Sequence, residues 1–165
     1  MSDFERFATI DALVMDVDGV LTDGTFLWSA SGEESKRFSF EDVMGLSRAR
    51  RAGLQLGLIS GEDSSLVDRF AGKVGIAYVA KGCKEKGLAL RNFAATTGIP
   101  LERVAFIGDD VNDLPALGIA GLSVAPANAQ PPVKAAVALV LARTGGQGAV
   151  RELVEMILAA RAGAT

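Results

Sequence analysis

The chain has 165 residues, 49% of them hydrophobic and 22% charged, which suits a single domain with one core. A net charge of −3 and a pI of about 5.0 argue against a nucleic-acid partner, which needs clustered Lys and Arg, but leave room for a small anion held by a few local cations and a metal. There is no histidine, which excludes Ser-His-Asp and Cys-His catalysis and the commonest zinc sites, and one cysteine, Cys83, which excludes an internal disulfide. The opening residues lack the basic-then-apolar pattern of a secretory signal, and no apolar run reaches the roughly 18 residues of a membrane span. The expectation is a cytoplasmic protein with no membrane partner.

In chain order, Ala12 to Val17 is a short apolar run that predicts a buried strand. Thr25 to Trp28 and Ser35 to Phe40 enclose a turn-like Ser29-Ala30-Ser31-Gly32-Glu33 and predict a hairpin. Asp42 to Ala52 reads as a helix with Asp42 as its N-cap and Gly53 as its stop. Leu54 to Ser60 is a second core strand, Asp63 to Val74 a helix and Ile76 to Val79 a short strand. Lys84 to Thr97 is a helix ending at Gly98, with Cys83 a small residue near its start. Val104 to Gly108 is a strand, followed by helix through Leu117. Leu122 to Ala125 and Ala138 to Leu141 are strands with a helix between them, and Ala149 to Ala162 is a final helix. This alternation predicts an α/β fold, a Rossmann-like parallel sheet with helices on both faces and a small hairpin flap at about 24–40. Residues 1–165 read as one domain, and active sites of such sheets lie at the carboxyl ends of the strands.

Four of those ends carry polar groups. They are Asp16-Val17-Asp18-Gly19, then Ser60-Gly61, then Lys86 at a helix start, then Gly108-Asp109-Asp110-Val111-Asn112-Asp113. Carboxylates at apolar strand ends are costly without a counter-charge, and Mg2+, which takes about six oxygens, is the natural one. Asp16 and Asp109 would offer carboxylates and Asp18 its backbone carbonyl. Asp113, one helical turn beyond Asp109, would hold a metal-bound water, and Asp110 either shares that role or lies on the surface. Asp16 would attack phosphorus, Asp18 would act as acid and then base, Ser60 would bind phosphoryl oxygens, and Lys86 would supply fixed positive charge. Taken singly, each motif has an ordinary structural explanation: a turn, a helix cap or a solvated lysine. Their joint occurrence, in this order and at these strand ends, is what points to chemistry.

These residues resemble the haloacid dehalogenase-like phosphatases, whose four motifs match Asp16-Val17-Asp18-Gly19-Val20-Leu21-Thr22, Ser60, Lys86 and Gly108 to Asp113. The resemblance implies Asp16 as nucleophile, Asp18 as acid/base, and Asp16, Asp18 and Asp109 as metal ligands. Gly61 follows Asp18 by only 43 positions, filled by a hairpin, a helix and a strand, so no cap domain fits. The nearer likeness is to a capless subgroup that includes 3-deoxy-manno-octulosonate 8-phosphate and nonulosonate 9-phosphate phosphatases. It rests on Asp16 to Gly24, the hairpin, Asp42, Gly45 and Gly145 to Glu152. That likeness implies a small sugar phosphate as substrate and a homotetramer built through the hairpins, with a neighbour helping to close each site. The chain departs from octulosonate enzymes in carrying Ser60-Gly61-Glu62 where they carry Thr-Gly-Arg, and in lacking arginines near Asp42. Glu62 with Lys73 resembles the nonulosonate branch, a solvated helix pair being the plainer explanation. Asp42, Glu62, Arg69 and Lys73 are the candidate substrate-side residues. Competing readings are a receiver-type signalling domain, a phosphatase-like module serving only assembly, and a phosphomutase.

Overall fold

The computed structural model describes residues 3–164. After a short helix α1 (Asp3–Ala8), strand β1 (Ala12–Met15) enters the centre of the molecule. The hairpin strands β2 (Leu27–Trp28) and β3 (Glu34–Ser35) follow, then α2 (Phe40–Arg51), β4 (Gln55–Ile59), α3 (Ser65–Val74), β5 (Tyr78–Ala80) and α4 (Lys86–Thr97). The second half runs β6 (Val104–Ile107), α5 (Leu114–Leu117), β7 (Leu122–Ala125), α6 (Pro131–Ala136), β8 (Leu139–Val140) and α7 (Ala149–Gly163). Six strands form one sheet in the order β5-β4-β1-β6-β7-β8, every neighbouring pair parallel, while β2 and β3 pair antiparallel apart from it.

The period-two geometry of β1 divides its side chains between two cores. Leu13 and Met15 join a core with Leu46 of α2, Phe70 of α3 and Leu153 of α7. Ala12 and Val14 face the other side, with Leu90 and Phe93 of α4, Ala116 of α5 and Val133 of α6. Strands buried on both faces are continuous apolar runs, which is why ALVM and VAFI carry no polar residue. Close approach of α2 and α7 depends on Gly45. A Cβ there would stand 2.8 Å from Cδ of Arg151 and 3.1 Å from its Cα.

The elements foreseen from sequence are present with shifted ends, and α1 is an addition. Helix α2 begins at Phe40 with Ser39 at the N-cap, so Asp42 is not the cap that the sequence predicts. The third strand lies at Tyr78–Ala80, beginning two residues and ending one residue later than expected. Helix α3 is capped by the Ser64 hydroxyl, which accepts from the Leu66 amide at 3.2 Å. Helix α4 stops, as expected, on Gly98 in the left-handed region.

Candidate active site

The chain runs from β1 outward through β4 to β5, then returns to β6 on the other side of β1. The strand order therefore reverses between β1 and β6, the position at which open α/β sheets bind ligands. Asp16 directly follows β1 and Asp109 lies just beyond β6, and the Asp16 amide donates to the Ile107 carbonyl at 3.0 Å. Ligand-capable oxygens of Asp16, Asp109 and Asp113 lie within 4.8 Å of one another. Lys86, at the first position of α4, is 1% exposed and places Nζ 2.8 Å from Asp16 Oδ1 and 2.7 Å from Asp113 Oδ1. The other Asp113 oxygen, Oδ2, accepts from the Asp109 and Asp110 amides at 2.9 and 3.2 Å. Asp113 thus fixes both Lys86 and the turn that presents Asp109. Asp110 caps that turn, its Oδ1 accepting from the Val111 amide at 2.7 Å, and also lines the pocket.

Burial, then the Asp113 charge, pushes Asp16 up to about 6 against the pull of Lys86. Asp109 is pushed up to about 9, first by burial, then by the Asp16 charge and a hydrogen bond with Asp16. Burial alone would lower the Lys86 pKa; the charges of Asp16 and Asp113 and their hydrogen bonds outweigh it and raise the value. Two carboxyl groups held this close and this dry have one charge too many. A divalent cation among their oxygens removes that conflict, so the donor set fits a hard, oxygen-seeking metal.

The loop from Asp16 to Gly24 is held from several sides. Gly19 has φ +85°, and a Cβ on it would lie 1.9 Å from Asp109 Oδ2, so only glycine permits this approach. The buried Thr22 hydroxyl accepts from the Gly19 and Gly24 amides, each at 3.2 Å. Asn128, beyond β7, donates to the Gly19 carbonyl at 3.0 Å and accepts from the Gly145 amide at 2.7 Å. The Gly146 amide reaches the Val20 carbonyl at 3.2 Å. The glycine run before α7 is therefore more than a connector, because its backbone packs directly against the loop carrying Asp18.

The remaining candidates divide. Asp16, Asp18, Lys86, Asp109 and Glu62 line one cavity of about 280 Å³ together with Gly61, Lys84 and Asn112. Ser60 is fully buried at the end of β4, its Oγ accepting from the Glu62 amide at 3.2 Å. Arg69 and Lys73, one turn apart on α3, line a different cavity of about 680 Å³ with Lys36, Phe38 and Phe70. No ion pair joins Glu62 to Lys73. Asp42 is misassigned as a substrate residue: it is fully buried between α2 and α7. Its Oδ1 accepts from the Arg151 amide at 3.0 Å in the first turn of α7, and burial raises its pKa. It caps that helix and cannot reach a ligand.

Sequence reasoning missed Lys36, Lys84 and Asn128. Lys36 carries one faint signal. It alternates with Arg37, whose side chain is 81% exposed, and shares its inward direction with Phe38, which stacks on Phe70 at 4.5 Å. Asn128 carries none, since its partners are backbone groups remote in the chain. The receiver reading meets an obstacle, because β5 runs into Lys81-Gly82 and carries no acidic residue.

Comparison with known proteins bears on the same residues. A family model described as haloacid dehalogenase-like hydrolase matches residues 75–153. The 3-deoxy-D-manno-octulosonate 8-phosphate phosphatase of Haemophilus influenzae is 40% identical over 157 residues, 95% of this chain and 87% of its own. The chain belongs to the haloacid dehalogenase-like hydrolases.

Within that family it is a phosphoric monoester hydrolase. The crystal structure of the Moraxella catarrhalis octulosonate 8-phosphate phosphatase, in complex with magnesium, phosphate and KDO, superposes with a TM-score of 0.94 at 36% identity, covering 97% of this chain and 92% of that one. A cobalt-bound form of the Haemophilus influenzae phosphatase gives 0.92 at 39% identity, covering 95% and 92%. Both share the α/β fold of this chain over nearly its whole length.

Proposed function

We propose that the protein is a Mg2+-dependent phosphatase acting on a phosphomonoester of a 2-keto-3-deoxy sugar acid, octulosonate 8-phosphate or a nonulosonate 9-phosphate, through an aspartyl-phosphate on Asp16. The observation that carries this is the buried Lys86 bonded to both Asp16 and Asp113, with Asp109 alongside. A strand-end carboxylate so held is aimed and charge-compensated, as a nucleophile must be when it meets a phosphate dianion. Asp16, Asp109 and the backbone carbonyl of Asp18 would hold the ion, with Asp113 steadying the turn behind them. Bound Mg2+ supplies charge neutralisation on the phosphoryl oxygens.

The chain's own groups account for the bond changes. An Asp16 oxygen bonds to phosphorus as the ester P–O bond breaks, and Asp18 gives its proton to the departing sugar oxygen. Asp18 then takes a proton from water, whose oxygen bonds to phosphorus as the Asp16–phosphorus bond breaks, releasing inorganic phosphate. Lys86 holds Asp16 in line throughout, and the Gly61–Glu62 turn, braced by the buried Ser60 hydroxyl that accepts from the Glu62 amide, borders the cavity in which the phosphoryl group would sit. Glu62 lines the cavity without Lys73 beside it, so by itself it favours neither the octulosonate nor the nonulosonate ester.

Assembly through the hairpin is part of the same reading. Phe26, Leu27, Trp28 and Phe40 are 53%, 70%, 65% and 70% exposed, an apolar surface that a second copy would cover. We read residues 24–40 as an insertion in one phosphatase domain whose hairpins meet in a homotetramer.

The test is phosphate release with Mg2+ from octulosonate 8-phosphate, nonulosonate 9-phosphates and hexose phosphates, with light scattering of the same sample for its mass. Selective turnover of a 2-keto-3-deoxy acid and loss of turnover in Asp16→Asn are expected. No turnover of any of them with Mg2+ present would overturn the assignment.

A further inference from the structure

The loop after β1 is pinned at the residue where it could turn most easily. Gly19 directly follows Asp18, and glycine has access to more backbone conformations than any other residue. The Asp18 carbonyl lies in the peptide plane between the two, so a turn about the bonds of Gly19 would re-aim it. The Asp18 side chain is held separately, with Lys36 Nζ 2.6 Å from its Oδ1.

Both polar groups of Gly19 are engaged. Its amide donates to the Thr22 hydroxyl at 3.2 Å, and its carbonyl accepts from Asn128 Nδ2 at 3.0 Å. In a planar trans peptide the N–H points away from the preceding C=O, so fixing the Gly19 amide fixes the direction of the Asp18 carbonyl. Thr22 acts from within the loop, and Asn128 closes the other side of Gly19 from a remote part of the chain. Its own carbonyl oxygen is taken by the Gly145 amide at 2.7 Å, which leaves its NH2 end toward Gly19.

Asn128 lies in the turn between β7 and α6, and that turn also grips the loop after β6. The Ala129 amide closes the turn on the Pro126 carbonyl at 3.0 Å, and the Gln130 amide donates to the Asp109 carbonyl at 2.8 Å. One turn therefore ties the backbone beside Asp18 to the backbone of Asp109. Asn128 itself is exposed, so it adds little to either core.

We infer that Asn128 is a positioning residue for the metal: through Gly19 it holds the Asp18 carbonyl at a set separation from Asp109, and so sets how tightly a divalent ion is bound. The inference rests on the metal site proposed above. Groups that orient the ligands of a metal without touching the ion are worth about 10- to 100-fold in its affinity.

The test is titration of the metal-free protein with Mn2+ by calorimetry, with no substrate present. Asn128→Ala should bind Mn2+ about 10-fold more weakly than wild type. Asn128→Leu, which keeps the bulk of the side chain without its donor, should lose as much, and it serves if the Ala form fails to fold. In turnover of whichever phosphate ester wild type accepts, the Mg2+ concentration for half-maximal rate should rise by a similar factor. Saturating Mg2+ should then bring kcat back to within about threefold of wild type, with KM unchanged. Asp42→Ala is the control, because it loosens α7 and the glycine run before it without touching Gly19. It should bind Mn2+ as wild type does. Wild-type Mn2+ affinity in the Asn128 variants overturns the inference. An equal loss in Asp42→Ala also overturns it, since Asn128 would then be a general brace of the fold. If wild type binds no Mn2+, the metal site fails and the inference falls with it. If wild type binds Mn2+ but turns over no ester, the substrate assignment alone fails, and the calorimetric comparison still decides the role of Asn128.

Discussion

Replacing Lys86 by methionine would leave its stem's packing largely in place while removing the one cation shared by Asp16 and Asp113. Those side chains are 7% and 0% exposed, so neither can turn to water for compensation. Removing one partner from a buried ionic cluster costs about 3–5 kcal/mol. For a chain of this length each kcal/mol moves the melting temperature by about 2–4 °C, so the variant should melt roughly 6–20 °C lower. The loss should depend on pH. Lys86 pulls the Asp16 pKa down from where burial and Asp113 would set it, so without Lys86 the carboxyl titrates higher than about 6. The deficit should be full at pH 8, where the buried carboxylates would be charged, and shrink toward pH 5, where Asp16 takes a proton. Thermal unfolding followed by circular dichroism in EDTA at the two pH values measures both effects. Turnover with Mg2+ should also fall at least about 100-fold, since fixed charge at the transferring phosphoryl group is lost. A variant that melts with wild type at pH 8 would refute the view that Lys86 compensates a buried double charge.

The acids themselves give a second pH test in the wild-type protein. Asp16 and Asp109 are raised from 3.8 to about 6 and about 9, so the stability that their protonated forms contribute is complete below about pH 4 and is lost as pH rises through those values. In EDTA the melting temperature should drop between pH 5 and 9, and saturating Mg2+ should raise it more at pH 8 than at pH 6. Gly19→Ala places a Cβ 1.9 Å from Asp109 Oδ2 and forces alanine to φ +85°, so Mn2+ affinity by calorimetry should fall about 10- to 100-fold. Asp42→Ala should lose about 0.5–2 kcal/mol in urea denaturation, as for a lost helix cap, with kcat and KM for the turned-over substrate unchanged. A raised KM in that variant would restore Asp42 to the substrate side.

The candidate site groups were legible because each is an acid, a base or a small residue placed where an apolar run ends. Asp16, Ser60, Lys86 and Asp109 needed only the strand pattern to be located on one rim. Asp42 misled because its identity and its place at a helix start are those of an ordinary cap. It does cap a helix, but one that begins more than a hundred residues later, and no local rule reaches that far. Lys36 was hidden for a related reason, since its value comes from facing Asp18 across the hairpin rather than from its neighbours in sequence. Glu62 and Lys73 look like a pair on paper. A strand end and a helix face carry them to separate cavities.

The clasp made by Asn128, Gly145 and Gly146 on the loop after β1 has a consequence for the order of events in biosynthesis. Asp16 leaves the ribosome well before the groups that brace its loop, which emerge more than a hundred residues later. Until that stretch arrives and α7 docks, the Asp16–Gly24 segment lacks its outer wall. A nascent chain stopped short of residue 145 would carry Asp16, Ser60, Lys86 and Asp109 and still lack the contacts of Gly145 and Gly146 on the loop after β1. The loop after β1 is therefore braced only once the stretch through Gly146 has been made and folded back onto it.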